Sequence, residues 1–93
     1  MAKLLFNITN GTNNPTKASL GFMLARTAVE EGHEVQVFLN ADAVSLIRKP
    51  VLESLVGLGT GKLSEHFNIL VNAKVPIYVS AISCEIRGVT EKD

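Results

Sequence analysis

Apolar and polar positions along this chain alternate between a strand-like and a helix-like rhythm. Residues 4–9 read as a buried strand that runs into a dense cluster of turn formers, Asn10-Gly11-Thr12-Asn13-Asn14-Pro15. Over residues 16–31 the apolar positions recur with a helical period. Pro15 suits the start of that helix, Thr16 can cap it, and Gly32 can take the left-handed conformation beyond its last turn. Val35, Val37, Phe38 and Leu39 carry a second strand over residues 34–40. A short helix over 41–47, entered through Asp42, precedes Pro50, which bends the path. Residues 51–58 are amphipathic without a decisive period, and Gly57-Leu58-Gly59-Thr60-Gly61 is the least ordered stretch by composition. Leu63, Phe67, Leu70 and Val71 share one face of a helix over 64–73. Residues 75–83 predict a third strand with Cys84 at its end, and Thr90-Glu91-Lys92-Asp93 reads as the capped start of one more helix.

Strands that alternate with helices predict an α/β fold with a mainly parallel sheet and right-handed crossovers. Nothing divides residues 1–93: there is no repeat, low-complexity tract or linker, so a single domain is expected. The first helix is more apolar than one contact requires. Ala18, Leu20, Phe22, Met23, Leu24, Ala25, Ala28 and Val29 leave little of its circumference polar, which predicts a second buried contact and points to another subunit.

Composition narrows the function classes. With 46% apolar and only 5% aromatic residues, the core is built from Val, Ile, Leu and Ala. Nine basic and nine acidic side chains cancel, leaving no electrostatic footprint for nucleic acid or an anionic membrane. The apolar run at the N-terminus is too short for a secretion signal, and no stretch reaches the length of a membrane span. A single cysteine cannot form an intrachain disulfide and fits a reducing compartment, so a cytoplasmic protein is expected.

In an open parallel sheet, ligands gather beyond the carboxyl ends of the strands. Three loops, residues 10–16, 40–42 and 83–88, are expected to meet there. The first is rich in donors and leads into a helix N-terminus, which suits an anion, although an ordinary turn uses the same residues. The third carries Cys84. A small buried hydrophobe is one reading of that residue. The other is a nucleophile: small and polar neighbours Ser80, Ala81 and Ser83 precede it, and Arg87 is near enough to favour the thiolate while Glu85 opposes it. Gly57 to Lys62 fails the phosphate-loop pattern, because Val56 and Leu63 stand where Gly and Ser or Thr are needed. His33 and His66 are isolated, so neither has the partners of a zinc site.

The opening Leu-Leu-Phe-Asn-Ile-Thr-Asn-Gly, the helix start at Asn14-Pro15-Thr16-Lys17-Ala18, and Glu30-Glu31-Gly32-His33-Glu34-Val35 with Phe38-Leu39 together resemble the DsrE/DsrF-like proteins. So does the stretch from Ile77 through Cys84 to Arg87-Gly88-Val89. The resemblance implies a three-layer α/β/α sandwich, assembly as a homo-oligomer (trimer or hexamer), and no metal or organic cofactor. It implies a sulfur-relay role in which Cys84, at the position of the family's cysteine, accepts sulfane sulfur as a persulfide from a donor protein and passes it to an acceptor protein. Asn10, Gly11, Thr12 and Arg87 would then hold the anionic sulfur. The alternative is an oligomeric module that binds an anion or nucleotide without turnover, with a structural Cys84. Members usually continue past Gly-Val-Thr-Glu with a helix and a strand that residues 1–93 do not contain.

Overall fold

The computed structural model describes residues 2–90. In chain order the elements are β1 (Lys3–Ile8), α1 (Pro15–Glu30), β2 (Glu34–Leu39), a 3-10 helix (Ala41–Ile47), α2 (Lys49–Ser54), β3 (Val56–Gly57), β4 (Gly61–Lys62), α3 (Leu63–Asn72), β5 (Ile77–Val79) and α4 (Ala81–Arg87). The main sheet has the order β1-β2-β5 with both pairings parallel, Lys3 opposite Glu34 and Val37 opposite Ile77. The predicted α/β architecture, a parallel sheet flanked by helices, is present.

Strand periodicity decides which side chains meet the helices. Ile8, Val35, Val37 and Leu39 are buried on one face, where they join Phe22, Ala25, Leu63 and Leu70 in the core. There α1 packs on the sheet and α3 packs beside α1, with the Phe22 and Phe67 ring centroids 6.2 Å apart. Of the two helical layers of an α/β/α sandwich, the described residues supply the one formed by α1 and α3. The other face carries Leu5, Phe38 and Tyr78, and it leaves Leu5 62% and Tyr78 52% exposed.

The apolar stripe of α1 is used in part inside the chain. Its buried residues Ala18, Ser19, Phe22, Ala25 and Ala28 meet the sheet, α3 and the β3–β4 hairpin. Leu24 stays 47% exposed and Leu20 and Met23 are only half-buried, so part of that width is left open within the chain. The hairpin stands where the sequence suggested a loose loop. Val56 faces Lys62 and Gly57 faces Gly61, while the buried Ser19 hydroxyl shares its proton between Thr60 O at 3.0 Å and Gly61 O at 2.9 Å. Gly57 is required there, because a Cβ would strike Thr60 and crowd the main chain of Thr16.

Helix boundaries differ from expectation by local chemistry. Asn14, not Thr16, caps α1, its Oδ1 accepting from Lys17 N at 3.1 Å. Thr16 is occupied elsewhere, since its hydroxyl accepts from Leu58 N at 3.0 Å. Gly32 takes the expected positive φ of 89°. The third strand is far shorter than residues 75–83. It ends at Val79, and Ser80 caps α4 by accepting from Ser83 N at 3.3 Å. The helix proposed to begin at Thr90 falls largely on residues 91–93, outside the described residues. Among the described residues no helix is long and apolar enough to cross a membrane.

Candidate functional site

The carboxyl ends of the three parallel strands do bring their loops together. Pairing continues one residue past the strands: Asn40 N donates to Ile8 O at 3.0 Å and Ser80 N to Leu39 O at 2.9 Å. Ala41 then turns the chain with a φ of 51°, a conformation costly for a residue with a Cβ. Side chains from both neighbours hold it. The Ala41 N–H donates to Asn40 Oδ1 at 2.9 Å and lies 3.0 Å from Ser83 Oγ, and that hydroxyl donates to Asn40 Oδ1 at 2.9 Å. Ser83 is buried, so the first turn of α4 is locked onto the end of β2.

A second link ties the other end of α4. Arg87 donates from Nε at 3.1 Å and NH2 at 3.0 Å to the same oxygen, Asp42 Oδ1, and from NH1 at 3.3 Å to Ser83 O. Arg48 NH2 donates to Arg87 O at 2.9 Å and so covers a carbonyl at the helix C-terminus. The first loop enters through Gly11. It is buried so tightly against Asp42 that a Cβ would overlap the Asp42 carbonyl and lie 2.9 Å from Ser45 Oγ.

Cys84 occupies the fourth position of α4, not the tip of a strand. The apolar run Ile77 to Ile82 reads as one strand, but the Ser80 cap breaks it after three paired residues. The thiol-bearing side chain is half-buried and packs against the core on one side. Arg87 follows three positions later, the spacing of neighbours on a helix surface. Its charge is not free, because Asp42 balances it.

The remaining predicted residues divide. Gly11 reaches the rim, but its N–H is already donated to Asn13 Oδ1 at 2.8 Å. Asn10 is half-buried in the loop two residues past β1. Thr12 is exposed and lines a groove of about 290 Å³ with Pro15, Val51, Ser54, Leu55 and Val56. The residues that join the loops, Asn40, Asp42 and Ser83, fall in segments expected at the rim, but none was read from the sequence as a site residue. Ser83 and Arg87 stand four apart, a pairing that signals one helix face only once this segment is read as helix.

His66 is committed to the hairpin. It is buried, with Nε2 2.7 Å from Thr60 O and Nδ1 3.4 Å from Arg26 NH1. Both ring nitrogens are engaged there. Among the described residues no group of three or more His, Cys, Asp or Glu side chains is placed to hold a metal ion.

A parallel α/β domain with a lone, half-buried thiol on the helix that closes its carboxyl rim defines the class. Sequence comparison makes it specific: residues 2–93 match the DsrE/DsrF-like family, and the chain belongs to it. An uncharacterised protein of Methanocaldococcus jannaschii is 33% identical over 85 residues, covering 91% of this chain and 31% of that protein. The chain thus spans under a third of that relative's length. No solved structure matches it.

Proposed function

We propose that this protein is a sulfur carrier: Cys84 accepts sulfane sulfur as a persulfide and hands it to a partner protein. The observation that carries this reading is the half-buried sole thiol on α4, at the rim where ligands of parallel sheets collect. In the first step the Cys84 thiolate attacks the outer sulfur of a donor persulfide, R–S–SH. The donor S–S bond breaks, R–S⁻ leaves and takes a proton, and Cys84 holds the transferred sulfur. An acceptor thiolate then attacks that outer sulfur and restores the Cys84 thiolate. Each exchange is a displacement, so no external oxidant or reductant enters. Arg87, its charge balanced by Asp42, stands one helical turn on, and the loop of Asn10, Gly11 and Thr12 borders the same rim. Assembly into a homo-oligomer, a trimer or hexamer, belongs to this reading.

Incubation with a persulfide donor is expected to add the mass of one sulfur atom, reversed by a thiol reductant and absent in Cys84→Ser. A native protein that gains no sulfur from small-molecule or protein persulfides would refute the carrier reading.

A further inference from the structure

β1 borders the sheet and is itself paired on one side only. The order β1-β2-β5 gives it a single neighbour, and among the described residues no strand pairs with its outer edge. Glu34 N donates to Ala2 O at 2.9 Å and Asn40 N to Ile8 O at 3.0 Å. In a parallel ladder, alternate residues turn both main-chain groups to the same neighbour. Ala2, Leu4, Phe6 and Ile8 therefore serve β2, while Lys3, Leu5 and Asn7 direct N–H and C=O outward. Those three residues are exposed, Leu5 at 62%. The devices that usually blunt such an edge are sparse. Lys3–Ile8 contains no proline, its register with β2 runs without a bulge, and its one charge, Lys3, stands at the start.

We infer that the free edge of β1 pairs with the same edge of a second copy, antiparallel about a two-fold axis at Leu5. A register centred there uses every outward group. Leu5 faces the partner subunit's Leu5, Lys3 faces the partner subunit's Asn7, and each facing pair exchanges both of its main-chain hydrogen bonds. The side chains agree with that register on both faces of the sheet. On the open face the two Leu5 side chains stand side by side, with Cα atoms about 5.5 Å apart. On the helix-covered face Leu4, 36% exposed, meets the partner subunit's Phe6. No like charges meet, because Lys3 lies opposite an asparagine. An extended peptide of another protein would satisfy the same main chain. The apolar match on both faces, free of a charge conflict, singles out this chain's own β1. Two three-stranded sheets then join into one continuous sheet through β1. The inference deepens the homo-oligomer of the carrier reading and rests on that part of it alone. A two-fold pair builds a dimer, or a hexamer from three pairs, and not a closed trimer.

Sedimentation of the full chain at micromolar concentration is expected to give an even multiple of the chain mass. Leu5→Pro removes one outward N–H and leaves the bonds to β2 in place, so it is expected to halve that mass with circular dichroism unchanged. If proline unfolds the strand, trapping decides instead. In Cys84→Ser protein, Leu5→Cys is expected to give a disulfide-linked pair on mild oxidation, because the facing Cα atoms lie within bridging range. Asn7→Cys in the same background is expected to crosslink at least about tenfold more slowly, since its two copies stand about 14 Å apart along the strands. Equal crosslinking at the two positions, or an unchanged mass in folded Leu5→Pro, overturns the inference and leaves assembly to another surface. A wild type that sediments as one chain, or as three, overturns it as well, whether or not Cys84 takes up sulfur. An even mass with the Leu5→Cys crosslink, in a protein that never accepts sulfur, upholds the inference and sinks the carrier reading alone.

Discussion

Gly11 and Ser19 show how single residues set the distances on which this fold depends. At Gly11 the main chain of the first loop lies against the Asp42 carbonyl, and any Cβ forces the 3-10 helix outward. Gly11→Ala is expected to destabilise the protein by about 1–3 kcal/mol, the usual range for overpacking, measured by urea denaturation. If stability is unchanged, the contact is looser than described. Ser19 is fully buried and directs its hydroxyl at two carbonyls of the hairpin. Ser19→Ala leaves those acceptors short of a donor and is expected to cost about 1–3 kcal/mol in the same measurement. Part of this scale was legible. The turn cluster around Gly11 announces itself by composition, and Cys84 is the only thiol. Asp42 was legible only as a residue near a helix start, because its partner Arg87 lies 45 positions away and nothing local signals the pairing.

Among the elements, α4 is the one whose character changes the chemistry. Seven residues are too few to hold a helix by backbone bonding alone. It persists because Ser80 caps its start, Gly88 with a φ of 66° closes its end, and Ser83 and Arg87 tie it to the end of β2 and the 3-10 helix that follows. Ser80→Ala is expected to cost about 1 kcal/mol and to speed alkylation of native Cys84 as the first turn frays. Matched alkylation rates in the two proteins would mean that the cap does not govern access to the sulfur. Elements with strong periodicity were readable in advance: Val35, Val37 and Leu39 alternate, and α1 spans four turns. Ile77 to Ile82 was not, because an apolar run without alternation reads as strand until a single serine interrupts it. The hairpin was unreadable for a related reason: two paired residues on each side carry no period at all.

The molecule as a whole is unevenly finished. One face of the sheet is sealed by α1 and α3, while the other exposes Leu5 and Tyr78, and α4 adds Ile82 and Ile86 at 72% and 74% exposure. Apolar surface of this extent marks an association site more often than bare solvent contact. With self-association as the proposed state, sedimentation of the wild type at micromolar concentration is expected to give a multiple of the chain mass. Leu5→Lys combined with Tyr78→Lys is expected to lower that mass without loss of helical circular dichroism. A wild type that sediments as one chain removes the oligomer from the proposal.

The long reach of the side-chain links at the rim has a consequence for the life of the protein in synthesis. Asn40 meets Ser83 and Asp42 meets Arg87 across 43 and 45 positions, so both closures wait until residues 83 and 87 have left the ribosome. The first βαβ segment is complete long before that. A nascent or proteolytically shortened chain ending before residue 80 thus retains much of the sheet and carries no thiol. Under the proposed carrier reading, readiness for exchange is a late checkpoint of folding.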